Sequence, residues 1–171
     1  NVFVQPLAGS KPTGTPRQLT KESARDINIY YWKGSGTILY VKDFGGDENF
    51  HVAAVDVASG RIRDLTPFDG VRAEILDELP DDARHILVSH NQRDRKLMDV
   101  YRLNVRTGEQ KLVAQNPGSV VSWTTDHNGV VRIGVATDGT KNTVLYRSSE
   151  REAFKPLFST DFRTEVVAQL F

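Results

Sequence analysis

The feature that most constrains the fold is a phrase the chain states twice. Val52-Ala53-Ala54-Val55-Asp56-Val57-Ala58-Ser59-Gly60, followed by Arg61-Ile62-Arg63-Asp64-Leu65-Thr66, is echoed by Val100-Tyr101-Arg102-Leu103-Asn104-Val105-Arg106-Thr107-Gly108, followed by Glu109-Gln110-Lys111-Leu112-Val113-Ala114. From Val52 to Val100 the offset is 48 positions. Strand-like pieces joined by an Asp/Asn-x-x-x-Gly turn and recurring at about 40–50 residues mark four-stranded sheets repeated radially. A two-sheet sandwich also uses short alternating strands, but it does not require the same turn at the same point of successive groups.

Around this phrase, short runs rich in β-branched and aromatic residues, bounded by Gly, Asp, Asn or Pro, fall into groups of four. Runs at 27–33, 37–42, 50–57 and 62–67 make one unit, residues 27–67. Runs at 72–79, 85–90, 97–105 and 110–115 make a second, residues 72–115, and runs at 120–125, 130–136, 142–148 and 154–159 a third, residues 120–159. Residues 1–20 read as half a unit, because Arg17-Gln18-Leu19-Thr20 matches Arg63-Asp64-Leu65-Thr66. The Gly/Pro/Ser/Thr-rich stretch 8–15 reads as a mobile loop, and residues 164–171 as the first strand of a further unit. The one helix candidate, residues 21–26, is too short to carry an apolar stripe. The predicted fold is therefore all-β: a single incomplete β-propeller over residues 1–171, with three complete four-stranded blades, half a blade and one extra strand.

Twenty-two basic and twenty-two acidic residues are interspersed along the chain, so nucleic acid and anionic membrane are not expected partners. No apolar run is long enough to span a bilayer. The absence of cysteine removes disulfides, thiolate zinc sites and cysteine nucleophiles, and leaves cytoplasm and periplasm equally open to a soluble chain. Residues 2–7 already read as strand, so the N-terminus reads as a cut rather than a natural start.

The segment Ile38-Leu39-Tyr40-Val41-Lys42-Asp43-Phe44-Gly45-Gly46-Asp47-Glu48-Asn49-Phe50-His51, with the two Gly-closed hairpins, resembles the propeller domain of the prolyl oligopeptidase family of serine peptidases. The likeness is to its bacterial acylaminoacyl-peptidase and dipeptidyl-peptidase-like branch; the hairpin endings by themselves are the more general mark of TolB-like repeats. The resemblance implies a propeller of seven or eight blades joined to an α/β-hydrolase domain that holds the Ser, Asp and His of catalysis. Its nucleophile would sit in a Gly-x-Ser-x-Gly elbow. That motif does not occur in these 171 residues, so no catalytic residue is carried over.

The site candidates are accordingly few. The loop 45–49 and its counterpart 91–96 could reach a central channel, and Glu48, Asn49, Gln92 and Arg93 are the substrate-contact candidates; the competing reading is that Asp47 and Asn49 only cap the turn. His85 and His90 are five apart in a period-2 element, on opposite faces, and cannot chelate together. His51 and His127 read as exposed imidazoles, and no metal or cofactor is expected. Ser122, Asp126 and His127 are sequence neighbours that cannot adopt triad geometry. Asp77, Glu78, Asp81 and Asp82 lack the spacing of a calcium loop. Tyr31, Trp32 and Trp123, in first strands, should fill the space between blades.

These readings describe the propeller part of a peptidase, gating peptides toward a hydrolase domain not in this chain and inactive alone. The alternative is a non-catalytic TolB-like propeller serving as a protein-binding platform. An open arc also exposes apolar faces and strand edges, which predicts self-association.

Overall fold

The computed structural model describes residues 1–161 apart from 24, 25, 28, 44 and 45. The strand expected over 164–171 lies outside the described residues. Among those described there is no helix, and hence none long and apolar enough to cross a membrane.

Sixteen strands are found among the described residues. β1 (Phe3–Val4) pairs with β4 (Arg17–Gln18), and between them β2 (Leu7–Ala8) pairs with β3 (Lys11–Pro12). The stretch expected to be a mobile loop is thus a small hairpin. It turns at Gly9, whose φ of 62° suits a residue without Cβ, and is closed by Thr13 N–H donating to Pro6 O at 2.9 Å.

Three four-stranded antiparallel sheets follow. The first runs β5 (Ile29–Lys33), β6 (Thr37–Asp43), β7 (Phe50–Asp56), β8 (Ile62–Asp64). The second is β9 (Ala73–Asp77), β10 (His85–Asp94), β11 (Leu97–Asn104), β12 (Gln110–Ala114), and the third β13 (Val120–Thr125), β14 (Val131–Thr137), β15 (Lys141–Tyr146), β16 (Lys155–Asp161). Within these three sheets each strand pairs with its sequence neighbours. This is the all-β, open propeller arrangement that the repeat implies.

The two repeated turns work alike. Asp56 Oδ1 accepts from the Ser59 main-chain N–H at 2.8 Å, and Asn104 Oδ1 from that of Thr107 at 3.2 Å. Gly60 and Gly108 then close the hairpins at φ 72° and 80°, a left-handed conformation in which a Cβ is strained.

The core lies between sheets. Successive side chains of a strand point to opposite faces, so Ile38 and Tyr40 of β6 pack with Val2, Leu19, Ala53 and Val55 toward the β1–β4 pair. Leu39 and Val41 pack the other way, with Val52, Ala54, Ile86, Val88 and Leu103 of the first and second sheets. A third cluster, including Leu87, Val100, Val120, Trp123 and Val131, joins the second sheet to the third. Inner strands buried on both faces read as continuous apolar runs rather than as alternation.

The expectation for aromatics holds at one position and fails at another. Trp123 is buried, its indole N–H donating to Met98 O at 2.9 Å and its ring tilted against Phe154 at 5.2 Å. Trp32, also on a first strand, is 54% exposed together with Tyr30. It shares a face with Ile38, its partner across the strand pair, but lies on the edge strand β5, where the described residues leave it uncovered.

Candidate functional site

Antiparallel order puts the β6–β7 and β10–β11 loops, and the linkers between sheets, at one end of the fold. In the first loop Asp43 is the organiser: Oδ1 accepts from Gly46 N–H at 2.7 Å and Oδ2 from Glu48 N–H at 3.3 Å. Asp47 then accepts from Asn49, by the main-chain N–H at 3.1 Å and the side-chain amide at 2.7 Å. Asn49 is therefore a turn residue. Glu48 is held at φ 63°, a left-handed conformation that is uncommon for a residue with a Cβ, and its carboxylate is exposed with no bond to the described residues.

The second loop is tied down on both sides. Arg95 donates to Asp69 O, in the linker before this sheet, at 2.9 Å. Arg93 reaches the linker after it, donating through Nη2 to Asn116 O at 3.0 Å. Asn91 completes the frame by accepting from Arg72 N–H at 2.8 Å and donating to Arg95 O at 2.8 Å.

Under this loop lies a buried polar network. The fully buried Asp99 receives both arms of Arg93, Nε at 2.6 Å and Nη2 at 2.9 Å, and the Asn116 main-chain N–H at 2.7 Å. Those bonds to Asp99 raise the Arg93 pKa. Asn116 turns the chain into the third sheet, accepting from Gly118 and Val120 N–H and donating to Val120 O at 2.6 Å. Beside it, the buried His90 stacks on Tyr101 at 4.1 Å with an interplanar angle of 7°. Its Nε2 meets Gln110 Oε1 at 2.7 Å, and Gln92 N–H points to Nδ1 at 3.4 Å. Both contacts suit a neutral ring protonated at Nε2, and burial lowers the His90 pKa.

Of the four sequence candidates, then, Arg93 and Asn49 are occupied within the fold. Glu48 and Gln92 have side chains without a bond to the described residues, at the same end of two successive sheets. Asp99 and Asn116 were not singled out from sequence, and His90 was weighed only as a metal ligand. The signal was a carboxylate set between Met98 and Val100 in an apolar strand, which needs a partner once buried.

The other histidines fall as follows. His90 and His85 do face different partners, His85 Nδ1 lying 2.9 Å from Asp82 Oδ2. His51 differs from expectation: it is mostly buried, with Nδ1 2.7 Å from Asp64 Oδ2. Asp126 of the sequence-adjacent Ser122, Asp126 and His127 is bonded instead to Arg132 Nε at 2.7 Å. Asp77 caps Leu79 N–H at 2.8 Å and accepts from Thr125 Oγ1 at 2.6 Å. Among the described residues no group of three or more His, Asp or Glu side chains is placed to hold a metal ion.

Solved structures of similar fold include TolB proteins. TolB from Acinetobacter baumannii matches with a TM-score of 0.54 at 15% identity, over 91% of this chain and 37% of that one. A putative TolB from Agrobacterium tumefaciens matches at 0.54 and 20% identity, over 88% and 56%. No protein-family model matches the chain. By sequence, dipeptidyl aminopeptidase BIII from Pseudoxanthomonas mexicana is 35% identical over 127 residues, or 74% of this chain. The chain has a TolB-like propeller fold and is similar in sequence to a peptidase of the prolyl oligopeptidase family. It spans 18% of the length of that aminopeptidase.

Proposed function

We propose that this propeller gates peptide access to the hydrolytic domain of a serine peptidase, and that Glu48 and Gln92 meet the peptide at the loop end. The observation that carries the reading is the 35% identity to dipeptidyl aminopeptidase BIII across 127 residues. It is supported by a loop end whose frame is fixed by Arg93, Arg95 and Asn91 while two polar side chains remain uncommitted. A rigid frame with free polar tips suits selection among substrates better than chemistry on them.

The test compares the 171-residue chain with the full-length polypeptide that contains it, using dipeptidyl and longer p-nitroanilide peptides. The full-length protein should hydrolyse them, and E48A with Q92A should raise KM more for the longer peptides than for the dipeptide, with kcat little changed. The 171-residue chain should show no turnover. Hydrolysis by the short chain, or none by the full-length protein, would overturn the reading; the second outcome would favour a binding platform.

A further inference from the structure

At the end of the fold opposite the two long loops, the β5–β6 and β7–β8 turns of the first sheet and the β11–β12 turn of the second enclose a cleft of about 700 Å³. Lys33, Arg61, Arg63 and Arg106 line it against one carboxylate, Asp56. A chain balanced at 22 basic and 22 acidic residues does not produce such an excess by composition.

The one carboxylate is already engaged. Asp56 Oδ1 accepts from Ser59 N–H at 2.8 Å and Ser59 Oγ at 2.6 Å. Lys33 forms the floor, buried and donating to the carbonyls of Glu78 and Leu79, with Asp82, Glu78 and Asp77 acting on it through space. The Arg61 and Arg63 guanidiniums have no hydrogen bond or ion pair among the described residues, and Arg106 interacts only with Asp56.

The fold does not impose this charge. The cleft between the second and third sheets is lined by Asp81, Asp82, Arg102 and His127, a mixed set, and Glu109 occupies the place in the repeat that Arg61 holds. Arg61 and Arg63 are two apart on one strand edge, on the face shared with Ala54, which pairs with Arg63. Residues so placed are roughly 6–7 Å apart, which is also the spacing of alternate side chains in an extended partner chain. Beside them β8 pairs with β7 alone and leaves its other edge open.

We infer that this cleft is a docking site for an extended acidic peptide segment, with carboxylates on alternate residues held by Arg61 and Arg63 and a third by Arg106. Guanidinium forks pair with carboxylates through two parallel hydrogen bonds, and the cleft is larger than one inorganic anion fills. The site is at the other end of the fold from Glu48 and Gln92, so it stands or falls separately from the gating reading.

The test is fluorescence polarisation of the full chain with a fluorescein-labelled peptide of alternating Glu and Ser residues, beside its Glu-to-Gln counterpart. The acidic peptide should bind and the Gln peptide should not. R61Q and R106Q should each weaken binding about tenfold, the loss expected for one charge-assisted bond, R63E should abolish it, and K111E in the equivalent strand of the second sheet should change it less than about twofold. Tryptophan fluorescence reports whether each variant folds; should R63E not fold, the R61Q and R106Q pair decides alone. Absence of binding, equal binding of the Gln peptide, an equal loss in K111E, or displacement by equimolar inorganic phosphate would each overturn the inference.

Discussion

Arg93 grips Asp99 with both arms of its guanidinium, Nε to Oδ2 at 2.6 Å and Nη2 to Oδ1 at 2.9 Å, from the rim of a loop to the floor of the second sheet. The same Nη2 reaches Asn116 O, so one side chain fastens a loop, a strand and a linker. Removing either partner should be felt in all three. D99N should lower stability by about 2 kcal/mol, the scale of hydrogen bonds to a charged group, and R93A should loosen the loop and the linker together. Hydrogen exchange of the Asn116 and Val120 amides in R93A, against the native chain, checks this.

His90 predicts a pH response. Its pKa is below the usual histidine value because burial disfavours the charged ring, while Gln110 and the nearby Asp99 oppose that shift. The unfolded chain therefore binds the proton more readily than the folded one. Its stabilising contribution is complete above about pH 6.5 and is lost as pH falls from there toward the lowered folded value. Urea midpoints measured between pH 7.5 and 5 should fall, and in H90Q the fall should be smaller.

Gly134 lies beneath the indole of its strand partner Trp123. A Cβ there would sit 2.9 Å from Trp123 Cζ3 and 3.3 Å from Val120 Cγ1. G134A should cost about 1–3 kcal/mol by overpacking, and W123L should recover part of that loss in the double variant. Thermal melts of the two single variants and the double form the cycle.

Tyr40 carries a buried hydroxyl with no hydrogen-bond partner among the described residues, and burial, aided by Glu22, has its pKa pushed up to about 12. Since an unsatisfied buried polar group costs about 1–3 kcal/mol, Y40F should leave stability unchanged or raise it. A drop in melting temperature for Y40F would show that the hydroxyl has a partner.

The middle strands were legible because burial on two faces leaves apolar runs such as Ile38-Leu39-Tyr40-Val41, and the turns because Gly60 and Gly108 mark left-handed positions. The hairpin at Leu7–Ala8 and Lys11–Pro12 was not, since two-residue strands carry no periodicity to detect. Trp32 and Trp123 were alike in sequence and differ in burial because a repeat fixes a residue's place in its own sheet, while its cover comes from the neighbouring one. The candidate loops were found by type and position. Which side chains stay free was not legible, because Arg93 is consumed by Asp99 only after the strand pair folds.

The division of β6, with Tyr40 committed to one cluster and Leu39 to the next, makes the seam rather than the sheet the unit of cohesion. A seam involves only two neighbours. A substitution at one seam, such as at Tyr40, should therefore leave the packing around Leu39 at the next largely undisturbed.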